Sequence, residues 1–304
     1  MDSRSVLKKV ITDFVVLSAV ALPLLVFRLF GTPPVRGFFC NDETIRYPFK
    51  DSTVPNIALY FVGLGLPIIV MCVTEIILAH QSTEPTTPVY LFGMRMPLWL
   101  VKSYEMVGIF CFGAVCSQMI TDVGKYTIGR LRPHFFDVCD PSVDCSLSMY
   151  QYQYITDYTC RGSSSKKLRE ARLSFPSGHS SFSAYTMVYL AFYIQSRIHW
   201  NGSVILKHAA QLCCVLISWA TALSRINDNK HHWSDVTVGL IIGTATAVVT
   251  FCLSIKEEIV GFRKKCGTEK TYLLSRVRHS DIVYHGLRHS VRSRGSREPS
   301  VAWS

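Results

Sequence analysis

Three short segments of the chain carry residues whose types and spacing could move a phosphoryl group. In the last of them, Ser224-Arg225 is followed by an adjacent pair, His231 and His232, and then by Asp235. His231 stands four residues before Asp235. If a helix begins here the two share a face, so the carboxylate can hold one ring nitrogen and leave the other unprotonated as a nucleophile. His232, three residues before Asp235, is expected to play a supporting part. The second segment, Pro176-Ser177-Gly178-His179, precedes an apolar run and reads as a helix entry. Free backbone N–H groups and the helix dipole favour an anion at such a place. Ser177 can add its hydroxyl, Gly178 lets the backbone come close, and His179 is placed to act as an acid. Ordinary capping by Ser177 or Ser180 would use the same residues. The first segment runs from Lys125 to Pro133. Lys125 and Arg132 are nearly two helical turns apart, so a continuous helix would put both on one stripe. They could then grip a phosphate from two directions, the arginine by its fork. Taken alone, such cations can equally be charges that snorkel at the end of a span.

Together the segments offer cations for a phosphoryl group, a histidine nucleophile with its carboxylate, and a second histidine as acid. Zinc is the competing reading of the paired histidines. It wants three or four ligands in closing geometry, whereas Arg225, Arg132 and Lys125 would repel a divalent ion and attract a phosphate. No metal or other cofactor is expected.

The elements that must position these residues are membrane spans. The chain has 304 residues, of which 49% are hydrophobic and only 17% charged, against roughly 25% charged in soluble domains. Apolar runs near Phe14–Leu29, Ile57–Leu78, Leu98–Ile120, Phe182–Ile194, Ala209–Leu223 and Val236–Ile255 predict an all-α polytopic protein with about six spans. The third run carries Lys102 and Glu105, and the fourth is short and polar-edged. The first ends in Arg28-Leu29-Phe30 rather than a small-residue cleavage site, and so reads as an uncleaved span. Arg4, Lys8 and Lys9 before it, with Arg263, Lys264 and Lys265 after the last run, predict cytosolic ends. All three motifs then fall at the outer boundary, extracellular or lumenal, of a multi-pass protein expected at the plasma membrane. The long outer segment from Thr121 to Ser177 holds Lys125, Arg130, Arg132, Lys166, Lys167, Arg169 and Arg172. Basic residues on the wrong side of the positive-inside rule call for another reason, and an anionic ligand is one. Thr121–Leu131 can stay helical up to Pro133, and the middle of the segment reads as loop.

Residues 1–260 are expected to form one membrane domain and 261–304 a basic, disordered cytosolic tail, which carries much of the net charge of +11. Attraction of that tail to anionic inner-leaflet lipids and acylation of Cys266 are further readings. Cys40, Cys139, Cys145 and Cys160 fall in the outer loops, where disulfides can form in unspecified pairs. The cysteines within the spans read as small apolar residues. The sequon Asn201-Gly202-Ser203 falls on the expected cytosolic side, and a glycosidase gel shift abolished by Asn201→Gln would overturn the six-span layout.

The order KxxxxxxRP (Lys125–Pro133), PSGH (Pro176–His179), SRxxxxxHxxxD (Ser224–Asp235) resembles the three-part signature of the type 2 phosphatidic acid phosphatase superfamily. RGFFC (Arg36–Cys40), YPFKDSTVP (Tyr47–Pro55), GRLRPHFFDVCDP (Gly129–Pro141) and KHHWSDV (Lys230–Val236) resemble its animal integral-membrane lipid phosphate phosphatases. The resemblance implies that His231 attacks phosphorus with Asp235 orienting it. It implies that His179 protonates the leaving oxygen, and that Lys125, Arg132, Ser177, Gly178 and Arg225 hold the phosphoryl oxygens. Magnesium is not required in that family. The implied partners are lipid phosphate monoesters such as phosphatidate, lysophosphatidate, sphingosine 1-phosphate and ceramide 1-phosphate. A homo-oligomer stays open, and no nucleic acid is expected. Three rival readings are a lipid phosphotransferase or haloperoxidase-like enzyme on the same motifs, a silent relative acting through interactions, and a transporter with a basic vestibule. Loss of motif residues would mark the silent relative, and here all are present. A transporter leaves the His–Asp spacing unexplained.

Overall fold

The computed structural model describes residues 3–82, 88–198 and 203–255. The sequon at Asn201, the cluster Arg263–Lys265, Cys266 and the expected tail lie outside the described residues. The chain divides into two compact units, Met1–Cys252 and Leu253–Ser304. Every motif residue belongs to the first.

Six long helices carry the fold: α1 (Ser3–Phe30), α2 (Asn56–Gln81), α3 (Leu98–Ile128), α4 (Gly178–Arg197), α5 (Val204–Asn227) and α6 (Trp233–Ile255). Each expected span lies inside one of them. All except α4 are long and apolar enough to cross a membrane. The protein is an all-α polytopic membrane protein.

The exception has a physical cause. A 20-residue helix rises about 30 Å, enough to cross a bilayer core. In α4, however, Ser180, Ser181, Ser183 and Thr186 are buried together with Tyr185, Tyr189 and Tyr193. The helix is walled in by protein, so its polar groups find partners there. Tyr185 donates to the carbonyl of Phe110 (2.7 Å), and Thr121 Oγ1 lies 2.8 Å from Ser181 Oγ. At its far end Tyr193 and the Arg197 fork both donate to the buried Glu75 of α2, at 2.9 to 3.0 Å. The core is built around this helix: Met71, Met106, Phe110, Ala114, Phe182, Tyr185, Tyr189 and Ala247 pack together. Close approach depends on small residues, as is usual between membrane helices. A Cβ on Gly239 or Gly243 of α6 would strike the backbone of α4 at Ser177 and Ser181 respectively. α1, by contrast, has no buried residue and packs along α3.

A second, extramembrane core stands at the motif end of the bundle. Phe38, Ile45, Leu131, Phe135, Ile155 and Ala171 fill it, and disulfides Cys40–Cys145 and Cys139–Cys160 staple it. Two antiparallel pairs complete the set of strands among the described residues: β1 (Phe38–Phe39) with β4 (Tyr154–Ile155), and β2 (Val89–Leu91) with β3 (Met94–Met96). The outer segment expected as loop also contains short helices at Phe135–Cys139, Ser148–Tyr150 and Ser165–Glu170.

One expectation needs correction. Helix α3 stops at Ile128 rather than running towards Pro133, because Gly129 takes the left-handed conformation (φ 60°) and donates its N–H to the Lys125 carbonyl. This is the usual glycine C-cap. Lys125 and Arg132 are therefore not neighbours on one helical stripe.

Candidate active site

The three motifs are joined by backbone hydrogen bonds, so their convergence does not depend on side chains. After the Gly129 cap the chain runs beside the approach to α4: Arg132 N–H donates to the Ala171 carbonyl (2.8 Å) and Ser174 N–H to the Arg130 carbonyl (3.0 Å). The N–H of Ser177 donates to the Asp235 carbonyl (3.0 Å), tying the second motif to the third. The turn between α5 and α6 folds back on itself, with the N–H groups of Lys230 and His231 both donating to the Arg225 carbonyl. His231 is thereby set against Arg225. It sits in this turn ahead of α6, not on the helix as its spacing to Asp235 suggested.

Ser177 is the N-cap of α4, accepting from Ser180 N–H at 3.4 Å and from Ser180 Oγ at 2.9 Å. Capping leaves the hydroxyl hydrogen of Ser177 available for donation. A Cβ on Gly178 would sit 2.8 Å from Lys125 Nζ, so the missing side chain is what lets the ammonium meet the start of α4. Lys125 also pairs with Asp122 at 3.4 Å. The cradle combines a helix N-terminus with a lysine, which suits an anion.

Asp235 is fully buried and heavily engaged. Its carboxylate accepts from Ser174 Oγ (2.5 Å), from Arg130 Nη1 (2.5 Å) and from His232 N–H (3.1 Å). The last contact closes the first turn of α6, as an acidic third residue reaches back to the cap. His231 Nδ1 lies 3.8 Å from Asp235 Oδ2, longer than a hydrogen bond, and no other group satisfies that buried nitrogen. Burial holds the His231 imidazole well below its ordinary pKa. The pull of Asp235 opposes this, and the charges of Arg132 and Lys125 reinforce it. The ring is neutral at physiological pH.

Arg225 is buried as well. Its Nη2 donates to Asp228 (2.7 Å), and its Nη1 lies 3.3 Å from Ser52 Oγ. Arg132 is differently placed. It makes no ion pair among the described residues, its buried Nε has no hydrogen-bond partner, and its Nη2 reaches only the Leu173 carbonyl, at 3.5 Å. Burial pushes its guanidinium below the usual value, with Glu170 opposing and Arg225 adding to the effect. Burial, and after it the charges of Arg225, Lys125 and Arg132, push His179 down to about 3, while its Nε2–H donates to the Val54 carbonyl (3.1 Å). All eight expected residues thus meet in one place. Three cations surround two histidines, and one of those cations lacks an anion.

Several residues of this place have no role assigned by the sequence, although Arg130 and Tyr47–Pro55 lie in stretches that carry the resemblance. Arg130 and Ser174 hold Asp235. The stretch Tyr47–Pro55 straps the site: besides Ser52 and Val54, Thr53 binds Asp228 through its N–H (2.8 Å) and hydroxyl (2.6 Å). Behind the strap, Phe49 lies under the ammonium groups of Lys230 (3.6 Å) and Lys167 (4.5 Å). Burial pushes Lys230 down to about 8, Arg132 being the next cause. The basic residues of the outer segment therefore have separate reasons to be there. Lys125 and Arg132 face the site, Arg130 holds Asp235, and Arg169 caps the carbonyls of Phe27 and Arg28 at 2.9 Å each.

Fold and site together define a helical membrane protein that gathers cations and histidines at one end of its bundle. The family model described as PAP2 superfamily matches residues 106–258, half of the chain. The chain belongs to the PAP2 superfamily. A Drosophila melanogaster protein named putative phosphatidate phosphatase is 45% identical over 262 residues, covering 82% of this chain and 69% of its own. Phospholipid phosphatase 1 of Mus musculus is 38% identical, covering 82% of this chain and 85% of its own. Phospholipid phosphatase 2 of Homo sapiens is 37% identical, covering 80% and 81%. No solved structure matches.

Proposed function

We propose that this protein is a lipid phosphate phosphatase that removes the phosphate monoester from phosphatidate, lysophosphatidate, sphingosine 1-phosphate or ceramide 1-phosphate at the extracellular or lumenal membrane boundary. The observation that carries the reading is Arg132, whose buried Nε has no hydrogen-bond partner and whose guanidinium makes no ion pair among the described residues, beside Lys125, Arg225 and the neutral His231. Such a site is built for a group with several anionic oxygens.

Nδ1 of His231 faces Asp235, so Nε2 is the nucleophile. It attacks phosphorus as the bond to the lipid oxygen breaks. The arriving phosphate offsets the charges of Lys125, Arg132 and Arg225, which add to burial in holding His179 neutral, so His179 takes up a proton from solvent when substrate binds. The bonding pair leaves with the lipid oxygen, which takes that proton from His179. Asp235, whose Oδ2 lies 3.8 Å from Nδ1, offsets the positive charge that the imidazole acquires. Lys125, Arg132, Arg225, the Ser177 hydroxyl and the Gly178 amide hold the equatorial oxygens. Water then attacks the phosphohistidine, gives its proton to His179, and frees phosphate and His231. Apo geometry is often looser than that of the substrate complex, which accommodates the 3.8 Å separation.

The test is phosphate release from phosphatidate by purified protein with EDTA present, followed by a short pulse with labelled substrate. His231→Ala is expected to lower the rate at least about a thousandfold, as loss of a nucleophile does elsewhere, and to abolish the labelled phosphohistidine. Activity that survives this change, or that needs added metal, overturns the mechanism.

A further inference from the structure

Helix α1 ends beside the site yet supplies none of the groups that hold phosphate. Its packing runs along α3 and the β2 strand, leaving its length otherwise uncovered. Its last turn is firmly anchored. Phe27 stacks on Tyr126 (5.1 Å between centroids, 11° between planes), and Arg169 binds the carbonyls of Phe27 and Arg28 together with the Tyr126 hydroxyl. Tyr126 is the residue after Lys125. Anchoring α1 there holds Arg28 at the level of the phosphate cradle.

Arg28 is exposed, and its Nη2 donates to Tyr60 Oη of α2 at 2.7 Å. Tyr60 in turn packs edge-on against Phe182, one turn beyond His179 on α4. Arg28 also interacts electrostatically with Asp122 and Lys125. The carboxylate of Asp122 is already met by Lys125. What remains at this rim is an arginine at the end of α1 that donates through Nη2 to Tyr60, that makes no ion pair among the described residues, and that acts electrostatically on Lys125.

Resting on the phosphatase reading, we infer that Arg28 is a specificity-determining residue that favours lipid phosphates with a carbonyl near the phosphate over those with an ammonium there. In a diacyl lipid phosphate, the carbon next to the phosphate-bearing one carries an ester. In ceramide 1-phosphate the corresponding carbon carries an amide, and in sphingosine 1-phosphate it carries an ammonium. With phosphate held at Lys125, Arg28 is close enough to act electrostatically on that site, and in this inference the substituent is set against its guanidinium. A guanidinium donates to an ester or amide carbonyl and repels an ammonium. Ceramide 1-phosphate and sphingosine 1-phosphate share the sphingoid chain, so their comparison isolates the charge.

The readout is the ratio of kcat/KM for phosphatidate, and for ceramide 1-phosphate, to that for sphingosine 1-phosphate, each in mixed micelles at matched surface concentration. A ratio does not depend on how much of a preparation is folded. Arg28→Gln is expected to lower both ratios about tenfold, the scale of one hydrogen bond from a charged donor. Arg28→Lys keeps the charge and should hold both ratios within about threefold of the parent, since only the fork is lost. Tyr60→Phe, which frees the arginine without removing it, should move them in the same direction as Arg28→Gln but less. Unchanged ratios in Arg28→Gln overturn the inference, whatever Tyr60→Phe does, while leaving the phosphatase reading intact. Parent enzyme that releases phosphate from none of the three lipids overturns the phosphatase reading instead.

Discussion

At the scale of single residues, the site separates the groups proposed to react from the groups that hold them. Asp235 is clamped from three sides, and Ser174 supplies one of its two shortest contacts. Ser174→Ala removes a hydrogen bond to a buried carboxylate, worth about 1.5 kcal/mol or more. It is expected to lower kcat about tenfold at nearly constant KM, with partial recovery in Ser174→Thr. Steady-state kinetics on one lipid phosphate check this, and a change confined to KM would speak against a positioning role. His232 offers the contrast. Its link to Asp235 runs through the backbone N–H, which alanine keeps, while its ring reaches only the Leu131 carbonyl. His232→Ala should therefore cost far less than His231→Ala in the same assay.

At the scale of elements, the break after α3 decides the geometry. Spacing alone puts Lys125 and Arg132 on one stripe, yet the left-handed Gly129 ends the helix and sends Arg132 across to Ala171. Both residues reach the site, through a local structure other than the one their spacing suggests. A Cβ at Gly129 would carry the strain of positive φ, about 1 kcal/mol, and would sit 2.5 Å from the Pro34 ring. Gly129→Ala is expected to lower thermal stability in detergent by about 1–3 kcal/mol and to reduce kcat/KM by misplacing Arg132. A melt compared with the kinetics of the same preparation checks both. Helix α4 shows the opposite case: its polar edges weaken it as a span, and the same polarity is what suits it to the centre of a bundle.

At the scale of the whole molecule, buried titratable groups link the site to stability. His134 is 2% exposed and its Nδ1–H donates to the Asn229 carbonyl (2.7 Å), tying the outer segment to the turn that carries His231. Burial pushes its pKa down to about 4, against about 6.5 in an unfolded chain. The unfolded state then binds the extra proton first, so stability is fully present above about pH 6.5. It is lost as pH falls towards 4, at about 1.4 kcal/mol per pH unit for this one group. His231, depressed in the same direction, adds to that loss. Melting midpoints in detergent should fall between about pH 7 and pH 5, and fall less steeply in His134→Gln. A slope unaffected by the substitution would remove His134 from the account.

Composition and short spacings are enough to read an all-α membrane protein, an apolar run inside each of the six long helices, and all eight residues that meet in one place. These features are local: apolar runs follow bilayer thickness, and a cap or a motif is complete within about a dozen residues. The clamp of Arg130 and Ser174 on Asp235, the Tyr47–Pro55 strap, the pairing Cys40–Cys145 with Cys139–Cys160, and the placing of Arg28 beside Lys125 are decided only by tertiary packing. Each joins residues far apart in the chain, and no local periodicity encodes such a contact. The residues proposed to react can be recognised from their spacing, whereas the contacts that hold them in place emerge only from the packing around them.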